Sequence, residues 1–321
     1  MQGERKLKRF FALAAAIFFT VTTLFGCSSK VNDEKKGVSV VCTLFAQYDW
    51  AKNITEGTDA NVVLLSENGA DIHSFSPSAR DIVKIAASDL MIYNGGVSDE
   101  WVKKVLATTA KDTDSIAITE VTDYFEEELK EGMQEEHSLF EHEEEYDEHV
   151  WLSLNNAEKA CEKICSVLCE KDEKNADIYK KNTQTYLEKI QNLKDEYEKL
   201  FKGKRKAAAV FLGKFPYRYL LSEFDIDYYA AFPGCSSETE ASFETIAFLS
   251  KKIDELKADT VLLDKTDDEA VARSVIKNTK AQNAKILYMD SMQSANKEYV
   301  AENSYLGIME NNLKSLYEAV K

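Results

Sequence analysis

The segment DEKNADIYKKNTQTYLEKIQNLKDEYEKLF, residues 172–201, decides the fold. Ile178, Tyr186, Ile190, Leu193, Tyr197 and Leu200 recur along it in helical steps, the signature of an amphipathic helix. Roughly 30 residues at 1.5 Å each make a rod of about 45 Å, long enough to cross from one lobe to another. Gly203, within Lys202-Gly203-Lys204-Arg205, stops it. On each side of the rod short apolar runs alternate with helical stretches. Upstream the runs are Val38–Leu44, Val62–Leu65, Leu90–Tyr93 and Ser115–Ile118, with helices at Trp50–Ile54, Ser76–Ala87 and Asp99–Thr108. Downstream they are Ala207–Leu212, Tyr228–Phe232, Thr260–Leu263 and Ile286–Met289, with helices at Phe215–Glu223, Glu240–Leu256, Asp267–Thr279 and Tyr299–Val320. Alternation of this kind specifies parallel sheets covered on both faces. The expected architecture is α/β: two lobes, each a mainly parallel sheet of about four strands flanked by helices. One long rigid helix bridges them, with a cleft between the lobes. The expected boundaries are 38–171 for the first lobe, 172–204 for the linker helix and 205–321 for the second lobe.

The first 26 residues stand outside that fold. Arg5, Lys6, Lys8 and Arg9 precede the apolar stretch Phe10–Phe25, which is short for a membrane span and reads as an export signal. Its ending, Leu24-Phe25-Gly26-Cys27, resembles a bacterial lipobox, in which Cys27 becomes the lipidated first residue. Residues 27–37 then form a polar tether. The formal charge is −16, and removal of the basic leader makes the remainder more acidic still. An acidic exported chain argues against nucleic acid and suits cations. Cys161, Cys165 and Cys169 fall four apart on one helix face. One helix does not close a tetrahedral metal site around three thiols, so they read as small core residues, as does Cys42.

The chemistry lies in the histidines. There are only 4 in 321 residues, and His137, His142 and His149 fall in or beside the run Glu126–Glu148, which holds 12 acids against the single base Lys130. The run has no apolar period and reads as a solvated surface loop. His149 closes it and opens the apolar Val150-Trp151-Leu152. His73 follows the strand Val62–Leu65, and Asp290 follows Ile286–Met289. Ligands of open parallel sheets collect at the carboxyl ends of strands, so His73, His149 and Asp290 are candidates to converge on zinc or manganese. Taken singly, His73 is equally a loop histidine bonded to backbone, Asp290 a turn cap and His149 a member of the charge run.

At these residues the chain resembles the solute-binding lipoproteins of zinc and manganese ABC importers, from Val38 to the C-terminus. Ala70-Asp71-Ile72-His73-Ser74-Phe75-Ser76-Pro77-Ser78 resembles the first-ligand motif of that family. Asp147-Glu148-His149-Val150-Trp151-Leu152-Ser153 resembles its Asp-Pro-His-x-Trp-Leu motif, with Glu148 in place of Pro. Gly234-Cys235-Ser236-Ser237-Glu238-Thr239-Glu240-Ala241-Ser242 is similar to its Gly-x-Ser-x-x-x-Glu-Pro-Ser segment, and Leu287–Met292 to the segment bearing its aspartate ligand. Tyr305 and Met309–Leu313 resemble its last helix. The resemblance implies ligands at His73, His149 and Asp290, and an acidic histidine-bearing loop typical of the zinc branch. It also implies a lipid-anchored monomer on the extracytoplasmic face of the cell membrane, with an ABC permease as partner and Zn2+ or Mn2+ as cargo rather than cofactor. Counting back from Phe215-Pro216-Tyr217 places Leu212 where the family has a further His or Glu ligand. Leucine does not coordinate, so Glu240, Cys235, water or a loop histidine is left to fill that position; His137 and His142 are otherwise accessory collectors of cations.

Three further readings stay open at the level of sequence. One is a receptor of the same architecture for a metal chelate. Another is a metal-dependent hydrolase using an open zinc position, although the chain has neither a His-Glu-x-x-His helix nor a Gly-x-Ser-x-Gly elbow. The third is a metal site decayed into an adhesion or scaffold role, suggested by Leu212.

Overall fold

The computed structural model describes residues 37–109, 113–133, 146–204, 207–236, 240–280 and 282–320. Cys27, its leader and the tether as far as residue 36, and the loop histidines His137 and His142, lie outside the described residues. In chain order the first lobe contains β1 (Ser39–Cys42), α1 (Phe45–Ile54), β2 (Asn61–Leu64), β3 (Asn68–Asp71), α2 (Ala79–Ala87), β4 (Leu90–Tyr93), α3 (Glu100–Leu106), β5 (Asp114–Ala117) and α4 (Leu154–Lys171). The bridging helix is α5 (Ala176–Phe201). The second lobe contains β6 (Ala208–Phe215), α6 (Arg218–Glu223), β7 (Asp227–Pro233), α7 (Phe243–Leu256), β8 (Thr260–Asp264), α8 (Glu269–Lys277), β9 (Lys285–Met289), β10 (Ser294–Asn296), α9 (Lys297–Glu302) and α10 (Tyr305–Val320).

Two four-stranded parallel sheets carry the lobes, ordered β2-β1-β4-β5 and β7-β6-β8-β9. Counted within its own lobe, each sheet has its second strand at one edge and its first strand next to its third. The chain direction across the sheet reverses at that junction, the place where open α/β sheets characteristically bind ligands beyond the strand ends. The two α/β lobes read from the alternation are therefore present, and share one strand order.

Helix α5 has 26 residues, a rod of about 39 Å. It buries Tyr179, Thr183, Tyr186, Ile190, Leu193, Tyr197 and Phe201. Ile178, counted in the apolar stripe from sequence, is turned to solvent at 38% exposure, with Tyr179 inward beside it. The buried stripe belongs to one continuous core that also takes in Val40 and Trp50 of the first lobe and Phe211 and Leu316 of the second. Tyr197 ties the helix down, its hydroxyl donating to Met309 O at 2.7 Å. A rod packed into a core shared by both lobes leaves little freedom for wide hinge opening.

Local chemistry moves several boundaries. The first-lobe helix expected from Ser76 begins at Ala79, because Ser78 caps it: its Oγ accepts from Asp81 N while Asp81 accepts from Ser78 N. Ser242 caps α7, its Oγ accepting from Thr245 N at 3.1 Å, so that helix starts at Phe243 rather than Glu240. The closing helix is two helices, α9 and α10, separated at Asn303 and Ser304.

One element was not visible in the sequence. Asn68–Asp71 and Ser294–Asn296 pair as a two-stranded antiparallel ribbon, β3 with β10, joining the first lobe to the second. His73 lies directly beyond one end of this ribbon, and Gln293 directly before the other strand.

Candidate metal centre

His73 sits in the single helical turn Ile72–Ser74 that follows β3, and its backbone N donates to Asp71 Oδ1 at 2.9 Å. His149 precedes the turn Val150–Leu152 and is wholly buried. Asp147 fixes it twice: Oδ1 accepts from the His149 backbone N at 2.9 Å and from Nδ1 at 2.7 Å. On the other ring, His73 Nδ1 lies 2.8 Å from Ser98 Oγ, and Ser98 N donates to Glu148 Oε1 at 3.0 Å. Each imidazole is thus oriented through Nδ1, and the two Nε2 atoms face one another at 3.4 Å. Two nitrogens bound to one tetrahedral zinc at about 2.05 Å stand about 3.3 Å apart. The pair is set at the spacing of two ligands to one ion.

Cys235 is the third member of the cluster. Its Sγ and the two imidazole nitrogens all lie within 4.8 Å of one another. The Gly234-Cys235 turn follows β7 and folds closely over His149. A Cβ on Gly234 would lie 2.6 Å from His149 Cε1 and 2.9 Å from Pro216 Cα, so no larger residue fits there without moving the ring. Trp151 closes the other side, its ring 5.2 Å from the imidazole and its Nε1 donating to Ser291 O at 2.8 Å.

The electrostatics divide the two histidines. Burial pushes the pKa of His73 down to about 4, assisted by the charge of His149 and, more weakly, by the ammonium of Lys214. Burial also works against a charged His149, but the charge and hydrogen bond of Asp147, with the carboxylates of Glu127 and Glu148, together raise that pKa above the usual value. Burial, together with the carboxylates of Glu127, Glu148 and Asp147, holds the Cys235 thiol well above its ordinary range.

The structure brings His73 and His149 together, as the sequence suggested, and promotes Cys235 from an incidental loop residue to a member of the cluster. Asp290 does not join that group. Its Oδ2 pairs with Lys265 Nζ at 3.1 Å, and its Oδ1 accepts from Met292 N at 2.9 Å and Tyr299 OH at 3.0 Å. Glu240 is exposed ahead of the Ser242 cap and is likewise outside the cluster. Leu212 is buried with Val210, Ala231 and Leu249 in the outer core of the second lobe. The register of β6 against β7 shifts between Phe211 and Lys214, and such a shift re-aims side chains. Leu212 therefore offers the centre no donor, and the nearby Lys214 contributes a weak positive charge at His73.

Two members of the acidic run also differ from expectation. Asp147 and Glu148 are buried at 5% and 4% exposure. Glu126 pairs with Tyr146 across a β-bridge, and Asp147 N donates to Phe125 O. The described ends of the run are therefore part of the fold. Gln293 was missed altogether; its carboxamide nitrogen is 2.6 Å from His149 Nε2 and 2.9 Å from His73 Nε2.

Residues 40–319 match the family model described as zinc-uptake complex component A, periplasmic, ZnuA. The chain belongs to the ZnuA family. Similar relatives of this ZnuA-family chain include the zinc-binding lipoprotein AdcA of Streptococcus pneumoniae strain R6, 27% identical over 97% of the chain. The chain spans 60% of that protein's length. The metal ABC transporter substrate-binding lipoprotein SloC of Streptococcus mutans is 26% identical over 95% of this chain and 97% of its own. Among solved structures, the Zn(II)-bound ZnuA-like domain of Streptococcus pneumoniae AdcA superposes with a TM-score of 0.70 at 26% identity, covering 88% of this chain and 99% of the domain.

Proposed function

We propose that this ZnuA-family chain is the extracytoplasmic solute-binding lipoprotein of an ABC importer, capturing a divalent metal ion and passing it to a permease. It is a binding role without turnover. The observation that carries the reading is the pair of imidazole Nε2 atoms held 3.4 Å apart, with a thiol in reach of both. His73, His149 and Cys235 are the proposed ligands. Asp290 is the proposed fourth, joining when Lys265 yields it. Two imidazoles, a thiolate and a carboxylate favour zinc over manganese, which prefers harder oxygen donors. Three donors gathered this closely also suit a bare ion better than a chelate. Lipidation at Cys27 anchors the chain, and His137 and His142 gather cations as accessory groups.

Cobalt(II) is the direct test of the ligand set. Titration into the wild type is expected to give an intense thiolate-to-cobalt band with tetrahedral visible bands, saturating at one ion per chain. Cys235→Ser is expected to lose the thiolate band and retain weaker binding through the histidines. A thiolate band that survives in Cys235→Ser removes that cysteine from the site. Absence of saturable metal binding in the wild type refutes the function.

A pH dependence follows from the same donors. His149 and Cys235 both hold their protons more tightly than usual, and coordination requires the lone pair of one and the thiolate of the other. Zinc binding therefore releases protons, and affinity is expected to climb as pH rises over about 6 to 8. Calorimetry in buffers of differing ionisation enthalpy measures the release; a pH-independent affinity contradicts it.

A further inference from the structure

We propose that Gln293 governs loading of this site, its carboxamide competing with the incoming ion for the two imidazole lone pairs. The inference rests on the metal-binding reading above and adds a residue to which the family resemblance assigns no role. Gln293 is 3% exposed. Ser291 Oγ donates to its Oε1 at 3.0 Å, which turns the NH2 end toward the histidines. That nitrogen has two hydrogens and two neighbours, His149 Nε2 at 2.6 Å and His73 Nε2 at 2.9 Å. Hydrogen bonds to imidazole and metal–imidazole bonds both form along the ring lone pair, so amide and ion cannot use these nitrogens together. Asp147 and Ser98, by engaging the Nδ1 atoms, present both lone pairs to the same point.

The backbone fixes where the amide is mounted. Met292 has φ 61°, the left-handed region, and Asp290 Oδ1 accepts its N–H. Gln293 O accepts from Ile72 N at 3.2 Å, so the peptide before His73 and the peptide of Gln293 are bonded to each other. The main chain is pinned on both counts, and a rotation of the Gln293 side chain is the movement left to admit an ion. Gln293 thus weakens the site while keeping two buried imidazoles hydrogen-bonded, a useful property in a receptor that must surrender its cargo.

The test uses the full chain, with zinc titrated against a chromophoric chelator for the wild type, Gln293→Ala and Gln293→Leu. Leucine nearly keeps the volume and removes the donor. Loss of competition worth one net hydrogen bond is expected to tighten zinc about tenfold in both variants. Unchanged affinity in both overturns the competition and leaves the metal site standing. Weaker affinity in both makes the carboxamide a ligand and overturns it equally. Tightening in the alanine variant alone assigns the effect to space, against the proposal. Failure of the wild type and both variants to take up one zinc per chain overturns the metal-binding reading, and the proposal with it.

Discussion

Zinc binding is expected to collapse when His149 is replaced by alanine. Removing a group that merely orients a ligand costs about 10–100-fold in metal affinity, and removal of the ligand itself should exceed that range. His149 is wholly buried, held by Asp147 and covered by Gly234 and Trp151, so no neighbouring histidine can swing into its place among the described residues. Asp147→Asn provides the graded companion. It keeps the shape beside Nδ1 but removes the charge, and should fall within the 10–100-fold range. Chelator competition on both proteins, with circular dichroism to verify folding, gives the answer. A His149→Ala protein that binds zinc as the wild type does would place the site elsewhere.

The largest stability effect is expected at Trp151. The residue is 1% exposed, and truncating such a side chain to alanine costs about 3–5 kcal/mol. Its position argues for the upper end. The indole N–H donates to Ser291 O, itself buried, and the Trp151 carbonyl accepts from Tyr305 OH at 2.9 Å. Trp151→Ala therefore opens a cavity and strips the Ser291 carbonyl of its donor, whereas Trp151→Phe keeps most of the ring and loses about 1–3 kcal/mol through the donor and the volume. Guanidinium unfolding should show the midpoints falling in that order with little change in slope. Equal midpoints for wild type and Trp151→Ala would mean that the indole is not holding the lobes together.

Much of this was legible from residue patterns because it depends on local periodicity. Parallel sheets bury their strands on both faces, and Leu90–Tyr93 and Thr260–Asp264 are apolar enough to announce themselves. The site was half legible. His73 and His149 lie in distinctive local sequences, but their partners are remote or disguised. Asp147 looked like one more acid in an acidic run; its place two residues before His149, within reach of that backbone N–H, is the signal that separates it. Cys235 is placed by the packing of Gly234 on the imidazole, which only the tertiary structure reveals. The ribbon segments Asn68–Asp71 and Ser294–Asn296 have no β-branched or aromatic residue, and each becomes a strand only because the other is there. Leu212 was reached by matching a motif through Phe215-Pro216-Tyr217, and what the sequence could not show is that its side chain packs into the core with Val210 and Leu249.

That ribbon also dates the site within folding. Its two strands are separated by more than two-thirds of the chain, and long-range pairings form late because loop closure must precede the reward of contact. His73 and His149 belong to the first lobe, while Cys235 and Gln293 arrive with the second. A partly folded chain with only its first lobe in place offers an ion two imidazoles without the thiol or the competing amide. Full metal-binding character is acquired in the same step that clasps the lobes, so zinc uptake by a refolding chain should trail secondary-structure formation.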